Sequence, residues 1–344
     1  SWRFRIMSEL RINNITDTAG SSGPIIAGVS TVSSTSHMVM PSGPTEMRGG
    51  RGRAVISGGF GPSIQSSIDK FEIATAGNAT SFGEMNGNNA QGAMVASSTR
   101  GVIGGYSTPS RSQTMYYHTF SSDGGVNDFG ELTISVYEKQ GQGNNVRGLF
   151  SGGSSPVALN NIDFVTIATT GDGTDFGDLT GGAGQAGRVN ANSTTRAIIS
   201  LAVDNVNTLD FVTIATRGNA EQFGSLRDYR NGEPCITSNS IRGIAGGGYN
   251  GSTTTDDITF ITIATKGDGT DFGNLINKNN QLSGASNSTR AVFCGALAPA
   301  GGIGNVMEFV TIASLGNSTD FGDLTVKRAQ SGGCNSDVHG GIGD

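Results

Sequence analysis

The sequence predicts an all-β fold: a seven-bladed β-propeller of four-stranded antiparallel blades, the closing blade shared by the N- and C-terminal segments. Three observations carry this prediction. The dipeptide Phe-Gly recurs in matching context at Phe82, Phe129, Phe176, Phe223, Phe272 and Phe321, at spacings of 47, 47, 47, 49 and 49 residues. A β-branched run precedes four of these, reading FVTIAT from Phe164 and from Phe211, FITIAT from Phe260 and FVTIAS from Phe309. A short apolar stretch entered by a basic residue begins at Arg53, Arg100, Arg147, Arg196, Arg242, Arg290 and finally His339, which makes seven.

Each unit reads as strands A to D. Strand A is the Gly-, Ala-, Ser- and Asn-rich stretch before the basic residue, as in 88–97, 185–193 and 281–288. Small side chains there suit strands crowded about a central axis. Strand B follows the basic residue and ends in paired glycines, Gly104-Gly105, Gly152-Gly153 and Gly246-Gly247. Strand C is the β-branched run, apolar on both faces as in a strand covered on two sides. A fifth copy from Phe71 reads as one residue shorter, and the copy near Met115 has drifted. Strand D carries Phe-Gly, and the C–D connection, such as Gly171-Asp172-Gly173, supplies tight-turn residues. The 344 residues divided by a repeat of about 48 give about seven units. Seven A and B strands face only six clear C and D strands, so the missing pair is expected at 24–30 and 32–40. Closure of that kind removes the open sheet edge. Residues 1–19 are then an N-terminal extension and 20–344 the propeller.

Composition narrows the function. There are 22 Lys+Arg against 28 Asp+Glu, a net charge of −6, so clustered cations for phosphate neutralisation are lacking and no nucleic-acid partner is expected. No run approaches the roughly 18 apolar residues of a membrane helix, so no membrane insertion is expected. Cys235, Cys294 and Cys334 lie far apart and read as small buried hydrophobes.

Three groups of residues are candidates for chemistry or contact. Asp172, Asp175, Asp178, Asp268, Asp271, Asp320 and Asp323 place oxygen ligands densely around a tight loop, which would suit Ca²⁺. The same slots hold Asn78, Ser81 and Glu84, or Asn219, Gln222 and Ser225, in other repeats, so capping turns are the competing reading. The three histidines, His37, His118 and His339, occupy nonequivalent repeat positions, so a shared metal is not expected and no cofactor is assigned. Positions that break the repeat are candidate interaction anchors: Trp2, Phe4 and Ile6 in the extension, Tyr116 and Tyr117 in the drifted strand C, and Tyr229 with Arg230. The six Phe-Gly phenylalanines are expected between blades. Arg100, Arg147, Arg196, Arg242 and Arg290 are expected to bond a neighbouring blade, since an element present in every unit serves ring-building.

The basic residue, small-residue strand and Gly-Gly pair resemble the Kelch-like propellers across nearly the whole chain, although the Tyr and Trp usual after the glycines are replaced by the Phe-x-x-Ile-Ala-Thr and Asp-Phe-Gly-Asp-Leu signature. That signature is similar to repeat proteins of tailed bacteriophages, marine and cyanobacterial ones especially. The resemblance implies a non-enzymatic structural or adhesive propeller of a virion: a tail fibre, capsid decoration or receptor-binding component, virion-borne or extracellular. Its partners would be other virion proteins, copies of itself or host-surface glycans. A carbohydrate-binding propeller not fixed in a virion is the alternative. A galactose-oxidase- or glycosidase-like enzyme is a more distant one, since copper would need two histidines and tyrosines converging near the axis.

Overall fold

The computed structural model describes residues 31–32, 38–39, 52–107, 110–184, 189–201, 207–227, 234–249, 252–299 and 301–335. The chain divides into two units, Ser1–Arg48 and Gly49–Asp344. In the first, β1 (Thr31–Val32) pairs antiparallel with β2 (Met38–Val39) in a two-stranded sheet of their own.

The second unit is a propeller. Strands β3 (Arg53–Ser57), β4 (Ser67–Glu72) and β5 (Thr80–Glu84) are B, C and D of blade 1. Blade 2 is β6 (Ala93–Ala96), β7 (Arg100–Gly104), β8 (Ser112–Thr119) and β9 (Asn127–Val136). Blade 3 is β10 (Gln140–Gly143), β11 (Arg147–Ser151), β12 (Asn161–Thr166) and β13 (Thr174–Asp178). Blade 4 is β14 (Val189–Asn192), β15 (Arg196–Ser200), β16 (Thr208–Thr213) and β17 (Glu221–Ser225). Blade 5 is β18 (Cys235–Ser238), β19 (Arg242–Gly246), β20 (Asp257–Thr262) and β21 (Thr270–Asn274). Blade 6 is β22 (Ser283–Ser286), β23 (Arg290–Leu297), β24 (Ile303–Thr311) and β25 (Thr319–Asp323). The last described strand, β26 (Gly332–Asn335), pairs antiparallel with β3, Gly332 opposite Ser57 and Asn335 opposite Ala54, and completes blade 1 as its strand A.

The ring therefore has six blades, and the seven expected from counting basic residues are corrected to six. The physical reason is where the last strand A goes. It hydrogen-bonds the Arg53 strand, so one C-terminal strand and three N-terminal strands make the closing blade and no further strands C and D are needed. The stretch expected as a seventh strand D includes Val32, Met38 and Val39, which lie instead in the separate β1–β2 hairpin. His339 lies outside the described residues, as does 24–30. The Phe71 copy is not shortened either. Glu72 stands opposite Arg53 as Thr166 stands opposite Arg147, so Phe71 takes the position of Val165 and Lys70 that of Phe164.

The inner strands β6, β10, β14, β18, β22 and β26 adjoin one another in that order and back to β6. Their spacing explains the small residues. A Cβ built on Gly141 would lie 2.1 Å from the Met94 carbonyl oxygen, so only glycine fits. Hydroxyls bridge neighbouring inner strands, Ser238 Oγ donating to Asn192 O at 3.2 Å and Ser286 Oγ to Ser238 O at 2.7 Å. Six apolar clusters fill the six interfaces, each built from two adjacent blades.

Candidate binding face

The recurring residues are consumed in holding blade to blade. All six Phe-Gly phenylalanines are buried, and each sits in an inter-blade cluster, Phe176 for example among Leu149 and Ile162 of blade 3 and Ile199 and Ile214 of blade 4. The glycine after it is required by close approach: a Cβ on Gly177 would lie 2.4 Å from the carbonyl oxygen of Gly218 in the next blade. That next-blade loop latches on, Gly218 N–H donating to Phe176 O at 2.9 Å and Ala220 N–H to Asp178 O at 2.7 Å. The Asx between them completes the latch, Asn219 Oδ1 accepting from Asp178 N–H at 3.1 Å.

Four of the seven calcium candidates, Asp172, Asp178, Asp268 and Asp323, take part in this latch. Asp172 Oδ1 accepts from Glu131 N–H at 3.0 Å and Asp268 Oδ1 from Ser225 N–H at 2.9 Å. Asn317 and Asn78 do the same with the N–H groups of Asn274 and Asp323. An amide oxygen serves as well as a carboxylate there, which is why Asp and Asn alternate. Asp178 and Asp323 contribute their backbone N–H; Asp175 and Asp320 are exposed; Asp271 pairs with Arg227. Among the described residues no three His, Cys, Asp or Glu side chains converge as metal ligands.

The arginines sit at the A–B and C–D end of the ring. Arg147 lies over the Phe164 ring at 4.7 Å and donates to the carbonyls of Ile214 and Ala215 in blade 4 at 2.7 and 3.1 Å. Arg100, Arg196, Arg242 and Arg290 repeat this, each stacked on its own blade's aromatic and bonded to carbonyls of the next blade. Arg290 reaches Ile73 and Ala74 of blade 1 and so carries the arrangement across the closure.

Of the interaction candidates, Tyr117 is the aromatic beneath Arg100 at 4.2 Å, and Tyr116 stacks on Tyr106 at 6.1 Å while its hydroxyl accepts from Asn86 at 3.2 Å. Burial pushes the Tyr106 phenol up to about 12. His118, on the same strand, is buried with neither ring nitrogen hydrogen-bonded among the described residues, and desolvation holds it down at about 4. Trp2, Phe4, Ile6, Tyr229, Arg230 and His37 lie outside the described residues.

Two repeat-wide features escape sequence reading. Gln91, Glu138, Gln281 and Gln330 precede strand A with positive φ of 54–63°. Around the ring Gln330 N–H donates to Gln281 O, Gln91 N–H to Gln330 O, and Glu138 N–H to Gln91 O. The second is a buried acid on strand C, present as Asp69, Asp163, Asp210 and Glu308. Asp69, Asp210 and Glu308 cap the D–A connection of the preceding blade, and Asp163 meets Thr133 on the long strand D of blade 2. Thr180 gives both its N–H and its hydroxyl to Asp210, Thr325 gives both to Asp69, and the Thr133 hydroxyl donates to Asp163 at 2.5 Å. Two of these acids also meet a buried cation, Lys139 on Asp163 and Arg328 on Asp69, each at 3.3 Å. Desolvation lowers the Lys139 ammonium and raises the Asp210 and Glu308 carboxyls. A fixed offset of about 30 residues between acid and threonine, one strand short of the repeat, is the signal that would have exposed the pairing.

The D–A and B–C connections form the opposite end, where the repeat is least regular. Strands β23 and β24 run past their counterparts into a projecting hairpin, with Leu297 opposite Ile303. Between this hairpin and Asn277, Lys278 and Asn279 of the blade 5 connection lies a cleft of about 430 Å³, with Pro299, Ile303 and Val306 on its wall and Glu308 lining it from strand C. No protein-family model matches the chain, and no curated protein sequence matches it.

Proposed function

We propose that this propeller is a non-enzymatic binding or structural module, and, on the similarity of its Phe-x-x-Ile-Ala-Thr and Asp-Phe-Gly-Asp-Leu signature to phage repeat proteins, a virion component of a tailed bacteriophage. The observation that carries the first part is the use of the polar residues. Arginine, Asx and buried acid alike spend their hydrogen bonds on the neighbouring blade, so what recurs builds a rigid ring and what varies is loop. Rigid scaffolds presenting variable loops serve recognition. Binding would use the D–A and B–C end, with other virion proteins, copies of the chain or host-surface glycans as partners. Immunogold labelling of tailed particles with an antibody to this chain tests the virion part. Labelled particles are the expected result, and antigen confined to the particle-free fraction would overturn it. Steady turnover of a glycoside or primary alcohol by the purified chain would overturn the non-enzymatic part.

A further inference from the structure

Comparing the chain's own repeats singles out one interface. At three places the buried strand C acid is closed by a threonine hydroxyl from the preceding blade: Thr325 on Asp69, Thr133 on Asp163, Thr180 on Asp210. Both carboxylate oxygens are engaged at each. Between blades 5 and 6 the threonine is replaced by Ile276, which offers only its backbone N–H, 2.8 Å from Glu308 Oε2. Ser318 Oγ bonds the same Oε2 at 2.5 Å. Oε1 takes no hydrogen bond among the described residues, and Glu308 lines the 430 Å³ cleft. The acid that lacks the closing hydroxyl lines the cleft.

We propose that this cleft binds a neutral saccharide, with Glu308 Oε1 accepting a sugar hydroxyl in place of the threonine hydroxyl that the other interfaces supply. The proposal rests on the reading of the chain as a non-enzymatic binding module and names its ligand class. Three features select that class. The cleft volume falls within the roughly 300–1,000 Å³ typical of small-molecule sites. Its lining includes the aliphatic residues Pro299, Ile303 and Val306, suited to the C–H face of a pyranose, and Asn277 and Asn279, a residue type whose amide donates and accepts as hydroxyls do. Its charges are mixed, Glu308 and Lys278 both lining it, so the cleft presents no field of a single sign that would favour an anionic or a cationic ligand. Desolvation already disfavours the charged form of Glu308, so a hydroxyl donor relieves a cost that the bare cleft leaves in place.

The test is an array of neutral and sialylated oligosaccharides, followed by titration of the best hit into the full chain by calorimetry. Two variants take their design from the other blades. Ile276→Thr restores the closing hydroxyl, and Glu308→Thr installs the residue that blade 5 carries as Thr259. Neutral glycans should bind the unaltered chain, and each variant should weaken that binding at least tenfold while its thermal unfolding stays cooperative. If Glu308→Thr fails to fold, Ile276→Thr alone decides. An array with no neutral hit, a preference for sialylated glycans, or binding changed less than twofold by Ile276→Thr overturns the proposal while leaving the non-enzymatic reading standing. Turnover of the bound glycan overturns both.

Discussion

Acid should destabilise the propeller through one identifiable residue, His118. Its side chain occupies the strand C slot that holds Val165, Val212, Ile261 and Val310 elsewhere, and it is 1 % exposed. The rings of Phe82 and Phe120 stand edge-on to it at 5.2 and 5.1 Å. No described group bonds either ring nitrogen, and burial alone lowers its pKa from 6.5 to about 4. In the unfolded chain the imidazole takes up its proton near pH 6.5, whereas in the fold it does not until about pH 4. Between those values the unfolded state binds more protons, so stability is full above pH 6.5 and falls as the pH drops. At about 1.4 kcal/mol per pH unit the loss reaches ~3 kcal/mol by pH 4. The perturbation is His118→Leu, close in volume and without a titrating group. Urea unfolding of both proteins at pH 7.5, 6, 5 and 4, followed by far-ultraviolet circular dichroism, isolates the effect, because carboxylate contributions cancel in the difference. The difference between the proteins should grow by about 3 kcal/mol in favour of the leucine variant across that range. A difference that stays flat to within about 0.5 kcal/mol would show the imidazole charged in the fold, and the dry-slot argument would be wrong.

Other expected outcomes follow from the same geometry. Phe176→Ala should cost about 3–5 kcal/mol in chemical denaturation, since it empties an inter-blade cluster, and Gly177→Ala about 1–3 kcal/mol, since its methyl meets the Gly218 carbonyl. Lys139→Met should cost about 3–5 kcal/mol by stranding Asp163, and most of that loss should be recovered in the double variant with Asp163→Leu; a double variant no better than the single would refute the pairing. Removing residues 332–344 takes away the inner strand of blade 1 and should abolish cooperative thermal unfolding, whereas removing Ser1–Arg48 should leave it intact, because the six-bladed ring closes within Gly49–Asp344.

What the sequence by itself determined is the unit. β-Branched runs, Phe-Gly and Gly-Asx turns are local signals, and they delimit four short strands per repeat with the phenylalanines at the positions the structure buries. The number of units in the ring is another matter. It depends on a single pairing, Gly332 with Ser57, between segments 275 residues apart; a linear pattern counts repeats but holds no information on which end strands meet. The same limit hides the site. Glu308 and Ile276 are unremarkable in one dimension, a substituted strand residue and a substituted turn residue. Only when the blades stand side by side does Ile276 prove to occupy the place of a closing threonine, with its acid lining a cleft. The energetic reason is that burial and hydrogen-bond satisfaction belong to the interface between blades, which no single repeat contains.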